Sequence, residues 1–255
     1  MRSLILAGGL ALVLGATALA QPTEPAPYIA AALADPARPS ADMERDAARH
    51  AAEILAFTGV EPGDHVADLV IGGGSFTRLF SVAVGPEGRV TAWQPGEFVA
   101  FQASYGQQLR DVDAAYDNVS GVESRFAELD LPSGSLDLVF TSQNYHDFHL
   151  QPFPADTAAR INAEVFDALK PGGAYVVIDH YAPDGSGWPT AHTLHRADRA
   201  ALIAEIEAAG FVLEAESDVL RNADDPRTAN VFDESIRGRT DQFVLRFRKP
   251  AGEAG

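Results

Sequence analysis

There is no cysteine anywhere in this chain of 255 residues. That absence excludes disulfide staples and thiol chemistry, and it leaves the hydrophobic core to hold the fold alone. Basic residues are scarce beside acidic ones, 19 against 36, for a formal charge of −17. Such a chain repels nucleic acid and anionic membranes, so neither is an expected partner. No Ser sits in a G-x-S-x-G elbow, which argues against serine hydrolysis. No H-E-x-x-H pair or Cys cluster is present, so no metal is expected. One apolar run stands out, Leu4 to Leu14, and it is too short to span a bilayer comfortably. Arg2 precedes it and Ala18-Leu19-Ala20 follows, with Gln21 next. The pattern predicts a signal peptide over residues 1–20, cleaved after Ala20, and a periplasmic or secreted product with no stable membrane contact afterwards.

Residues 21–41 are rich in Pro and Ala and read as a flexible arm ahead of one domain over 42–255. "DMERDAARHAAEILAFTGV" carries apolar residues at helical spacing, with Asp42 as its N-cap. "HVADLVI" reads as a buried strand, "SFTRLFSVAV" as a helix and "RVTAW" as the next strand. "LDLVFTS" is a further strand. "DTAARINAEVFDALKPGG" is a helix stopped by Pro171-Gly172-Gly173 and followed by the strand "AYVVIDH". "RADRAALIAEIEAAGF" is a helix capped by Gly210, then come the strands "FVLEAES" and "QFVLRFRK". Alternation of this kind predicts an α/β fold, a mostly parallel sheet with helices on both faces. Ligands of such sheets bind at the carboxyl ends of the strands, which selects Val70–Gly74, Trp93–Gln94, Ser142–Asp147 and Asp179–Tyr181.

Asp68 ends the first strand, and Gly72, Gly73 and Gly74 lead into a helix. Glycines let backbone approach a ligand closely, and the helix start offers free N–H groups. A dinucleotide site would need a third spaced glycine where Thr77 stands, and an acid where Gln94 stands, which disfavours a nicotinamide oxidoreductase. An acid four residues ahead of the glycines suits a ligand carrying an ammonium group.

These features resemble the class I S-adenosylmethionine-dependent methyltransferases. The resemblance continues through "LPSGSLDLVFTSQ", "ALKPGGAYVVIDH" and "EAAGFVLEAES". It implies a Rossmann-like seven-stranded sheet, S-adenosylmethionine as cofactor and a small-molecule methyl acceptor. "SQNYHD", "LHRAD" and "RGRTDQF" are similar to a subgroup of exported methyltransferase-like proteins. Cofactor contacts are then expected from Asp68, Gly72, Gly73, Gly74, Gln94 and, for adenine, Asp130 or Glu128. Two positions depart from the family pattern. Val70 occupies its first glycine, and Gln94 its ribose-binding acid, exchanging two carboxylate acceptors for one amide acceptor and a donor.

"SQNYHDFH" lies where the fourth strand ends, facing the transfer site. His146 is the candidate general base, oriented by Asp147, with Asn144 and Tyr145 beside it. His180 follows the fifth strand, with Asp179 placed to orient it. His195 and Arg196 are placed to hold an anionic substrate. His146 with His149, and His192 with His195, share an i, i+3 spacing that with Asp147 and Asp179 suits metal ligation only weakly. Arg237 and Arg239 are expected to pair with Asp241 or the acidic "NADDP" loop, and Arg45 and Arg49 to form a solvated helix face or a lid. The competing functional reading is an exported binding module that keeps this fold without the cofactor. A third reading uses the His and Asp loops for hydrolysis or metal chemistry.

Overall fold

The computed structural model describes residues 24–252; the signal sequence expected over 1–20 lies outside them. Seven strands form one sheet: β1 His65–Leu69, β2 Arg89–Pro95, β3 Val119–Ser124, β4 Leu136–Ser142, β5 Leu169–His180, β6 Val212–Ser217 and β7 Gln242–Arg248. Their order is β3-β2-β1-β4-β5-β7-β6. All neighbours run parallel except β7, which is antiparallel to β5 and to β6. The helices are α1 Pro27–Leu33, α2 Ser40–Met43, α3 Ala51–Thr58, α4 Ser75–Val84, α5 Gly96–Phe101, α6 Ser104–Ala115, α7 Thr157–Ala168, α8 Pro189–Leu194 and α9 Arg199–Ala208. Among the described residues no helix is long and apolar enough to cross a membrane.

Strand alternation sends side chains to two cores. On one face Ala67, Leu69, Val139, Tyr175, Val177 and Leu245 meet Ile161, Val165, Leu202 and Ile206 of α7 and α9. On the other, Val66, Leu138, Phe140, Val176 and Val244 meet Leu79, Phe80 and Ala83 of α4. Phe140 packs edge-on against Phe80, with ring centroids 5.1 Å apart.

Three expectations change. The flexible arm is instead helical over Pro27–Leu33, with Ile29 and Ala32 buried in the second core; apolar burial outweighs the cost of ordering an Ala- and Pro-rich segment. The single helix expected from Asp42 is broken into α2 and α3 by a turn over residues 44–50, and the last residue of that turn, His50, takes a left-handed φ of 48° where α3 begins. Asp42 does not cap it. Its carboxylate pairs with Arg78 at 3.2 Å and lies 3.6 Å from Arg49. The third strand, β3, has no clear sequence signature because it is an edge strand whose residues are largely solvent-facing.

Candidate active site

The order β1-β4 places the two strand ends flanking the point where the sheet reverses direction, and a cleft opens there. Its volume is about 1100 Å³. Asp68, Val70, Gly72 and Gly73 form one wall. Ser142, Asn144, His146 and Asp147 form a second, with His180, His192 and His195 beyond it. Pockets for one small ligand hold roughly 300–1,000 Å³, so this cleft lies at the upper end of that range.

The glycine loop is built for close approach. Val70 stands at φ 57°, the left-handed conformation that glycine adopts freely and a β-branched residue does not. The family's glycine position is therefore geometrically conserved here despite the valine, whose side chain is buried in the first core rather than blocking the cleft. A Cβ on Gly72 or Gly73 would meet nothing within 4 Å, so at both positions the backbone is open. Gly74 differs: it turns the chain into α4 at φ 73°, and a Cβ there would lie 2.5 Å from Val112. It serves the turn and does not line the cleft. Asp68 accepts from the Thr77 hydroxyl at 2.6 Å, which explains the threonine where a dinucleotide loop would carry glycine. Burial pushes the Asp68 carboxyl up to about 7, against the hydrogen bonds from Thr77 that hold it down.

Gln94 does not reach the cleft. It is fully buried, and its Oε1 accepts from the Gly72 N–H at 3.0 Å. Its Nε2 has no partner. It braces the glycine loop from behind. The acid that does line this end is Glu97, in the first turn of α5, three residues further on. It accepts from the Phe126 N–H and from Arg125 Nε, each at 3.2 Å. The signal for it was an acid just past β2, displaced from the expected position. Asp130 is exposed and outside the cleft, as is Glu128; Glu128 ends the short turn Phe126–Glu128 and Asp130 lies two residues beyond it.

At the far wall, the 3-10 turn Tyr145–His149 sorts adjacent residues in opposite directions. Asn144 Nδ2 donates to Val70 O at 2.9 Å and to Ser142 O at 2.6 Å, tying the two strand ends together. Tyr145 points away from the cleft into the core, where its hydroxyl donates to Glu205 and accepts from Asn162. It therefore does not face a ligand in the cleft. His146 faces inward and is gripped at both nitrogens: Nδ1 lies 2.8 Å from Asp179 Oδ1, and Nε2 lies 3.2 Å from Asp147 Oδ1. Burial opposes its charge, but Asp179 and Asp147 prevail and hold it up to about 10. A proton so held leaves no free lone pair, so His146 is not the general base expected of it. Asp147, whose burial is outweighed by His146 and His195, stays below the usual carboxylate range.

Asp179 orients His146, not His180. The partner of His180 is Thr240, whose hydroxyl lies 2.7 Å from Nδ1. Burial lowers His180 to about 4 against the pull of Asp179, so its ring is neutral. Thr240 and Gln242 come from the "RGRTDQF" segment, whose charged residues act elsewhere: Asp241 pairs with Arg221 and Arg227, each at 2.8 Å, rather than with Arg237 or Arg239. Arg196 is fully buried on Asp225 at 2.8 and 3.1 Å and cannot reach a substrate. Arg45 and Arg49 do line the cleft, and Arg49 donates to Ser75 at the start of α4 at 2.6 Å. The mouth carries apolar side chains, with Phe101 86% and Phe232 58% exposed.

No family model matches the chain. Over 139 residues it is 27% identical to a demethylmenaquinone methyltransferase of Listeria monocytogenes, covering 53% of each protein. Over 135 residues it is 29% identical to a ubiquinone/menaquinone biosynthesis C-methyltransferase of Pseudoalteromonas translucida, covering 52% of this chain and 49% of the relative. The match thus spans about half the length of these curated relatives. Among solved structures, an S-adenosylmethionine-dependent methyltransferase from Aquifex aeolicus superposes with a TM-score of 0.52 at 17% identity, over 77% of this chain and 88% of its own. The [4+2]-cyclase SpnF superposes at 0.56 and 20%, over 82% and 83%. An arsenic(III) S-adenosylmethionine methyltransferase from Chlamydomonas reinhardtii does so at 0.52 and 19%, over 89% and 74%. The chain has the fold of S-adenosylmethionine-dependent methyltransferases and resembles methyltransferases in sequence.

Proposed function

We propose that the chain binds S-adenosylmethionine and transfers its methyl group to a small apolar acceptor. The carrying observation is the cleft bounded by Asp68 and the loop Val70–Gly73, whose backbone is left-handed at Val70 and Gly72. Asp68, raised to about 7 by burial, becomes a matched partner for the cofactor's ammonium group, whose charge favours the carboxylate. Glu97 takes the ribose role that Gln94 does not fill. Methyl transfer to oxygen, nitrogen or carbon is then chiefly alignment of nucleophile, methyl and sulfur. His195 is the group of the far wall placed to take the acceptor's proton, while the imidazolium of His146 stabilises negative charge developing there. Phe98, Phe101, Phe153 and Phe232 favour a flat, apolar acceptor. The quinone-type substrates in the names of the curated relatives are the first to test.

Calorimetric titration with S-adenosylmethionine and S-adenosylhomocysteine tests this directly. Micromolar binding of both, weakened about tenfold or more by Glu97→Ala, supports the reading. A folded chain silent to both supports the binding-module alternative, which the withdrawal of Gln94 from the cleft favours.

Export to the periplasm or medium is part of the proposal and rests on the residue pattern of 1–20. Mass spectrometry of the protein from fractionated cells should find a mature chain starting at Gln21 outside the cytoplasm. An intact chain in the cytoplasm would refute it.

A further inference from the structure

We propose that His146, Asp147 and His195 form a three-ligand site for a divalent cation of the zinc class, with its open position facing the cleft. Ligand atoms of the three lie within 4.8 Å of one another. His146 Nε2 stands 3.2 Å from Asp147 Oδ1, and His195 Nδ1 stands 3.8 Å from it. Bonds of about 2.0–2.1 Å to a tetrahedral ion put neighbouring ligands roughly 3.3 Å apart. Those two spacings bracket that value, and the His146–His195 pair, within 4.8 Å, closes on an ion by a movement of His195. Two imidazoles and one carboxylate suit zinc or a similar ion. Magnesium and calcium take all-oxygen sets.

An orienting shell is already built. Asp179 is fully buried and holds His146 Nδ1 at 2.8 Å, which directs Nε2 toward Asp147. Asp179 is itself fixed by the N–H groups of His146 and His180, at 2.8 and 2.7 Å. A carboxylate behind a histidine is the usual second shell of a zinc ligand. His195 is placed by the left-handed φ of 53° that ends α8, and its ring packs edge-on against Phe232. All three residues line the cleft. Three protein ligands leave one position for water or a ligand oxygen, the arrangement of a catalytic rather than a structural ion. An ion here would replace the proton between His146 and Asp147. The coordination claim does not depend on methyl transfer.

The test uses the full chain, produced without a polyhistidine tag and stripped with chelator. Zinc chloride is titrated by calorimetry and cobalt chloride by visible absorption. One zinc per chain and the intense visible bands of four-coordinate cobalt are expected. Asp147→Asn and His195→Ala, both at the cleft surface, should each weaken zinc at least tenfold while circular dichroism stays unchanged. Asp179→Asn should weaken it about 10- to 100-fold through orientation alone. No zinc binding to the folded chain, pale six-coordinate cobalt, or affinity unchanged in both Asp147→Asn and His195→Ala would overturn the proposal. Titrating S-adenosylmethionine into the same samples separates this outcome from that of the cofactor reading.

Discussion

Asp68 sits in the end of β1 with a carboxyl group that burial holds protonated up to about 7, against an ordinary value of 3.8. Replacing it with asparagine keeps the shape and leaves Oδ1 to accept from the Thr77 hydroxyl now 2.6 Å away. What changes is the proton. The folded wild type keeps its proton over a range in which the unfolded chain has lost it, so wild-type stability falls as pH rises from about 4 to about 7 and is flat in this respect above that. The gap between 3.8 and about 7, at about 1.4 kcal/mol per tenfold in proton affinity, amounts to roughly 4 kcal/mol. Asparagine carries no such dependence. Every other titrating group is common to both proteins, so the difference between them isolates Asp68. Urea denaturation at pH 4.5 and pH 8 should show the advantage of Asp68→Asn growing by about 3–4 kcal/mol between the two. The same variant should lose S-adenosylmethionine affinity by about 10- to 100-fold, the worth of a hydrogen bond to a charged group. A stability difference constant to within about 1 kcal/mol across that range would refute the assignment of a buried, largely uncompensated carboxyl.

Gln94→Glu should not restore cofactor affinity, since the side chain faces only the Gly72 N–H; it should instead destabilise the fold by about 2–4 kcal/mol at pH 8, with the loss easing in acid, read from urea midpoints. Val70→Gly relieves left-handed strain of about 1–2 kcal/mol while giving up a buried side chain, so it should cost far less than Val176→Gly in the middle of β5, where no strain is released. Ile29→Ala should cost about 2–4 kcal/mol if α1 is part of the folded unit; a change below about 0.5 kcal/mol would return that segment to the status of a loose arm.

The alternation of strands and helices was readable because each period writes itself in local composition. "LDLVFTS" and "SFTRLFSVAV" coincide with β4 and α4 to the residue. Such elements bury one face or both, and burial selects apolar residues at fixed spacing. β3 lacked that signature because an edge strand buries little. The break between α2 and α3, a turn over residues 44–50 ending in the left-handed His50, leaves no compositional mark. At the site, Asp68, Gly72 and Gly73 were legible from their place after the first strand. Glu97 was not, since three residues of displacement along a turn decide which acid reaches the cleft.

Sequence alone determined the layered fold, the end of the sheet that holds the cleft, and the glycine loop on its rim, because hydrophobic period and glycine placement are local properties of the chain. Tertiary structure alone decided which polar groups meet. Tyr145 and His146 are neighbours, yet one joins the core and the other the cleft. His146 finds its partner 33 residues away in Asp179, and His180 finds its own 60 residues away in Thr240. Pairings of that kind depend on sheet order and loop direction. Those are set by the packing of the whole chain, and no window of the sequence contains them.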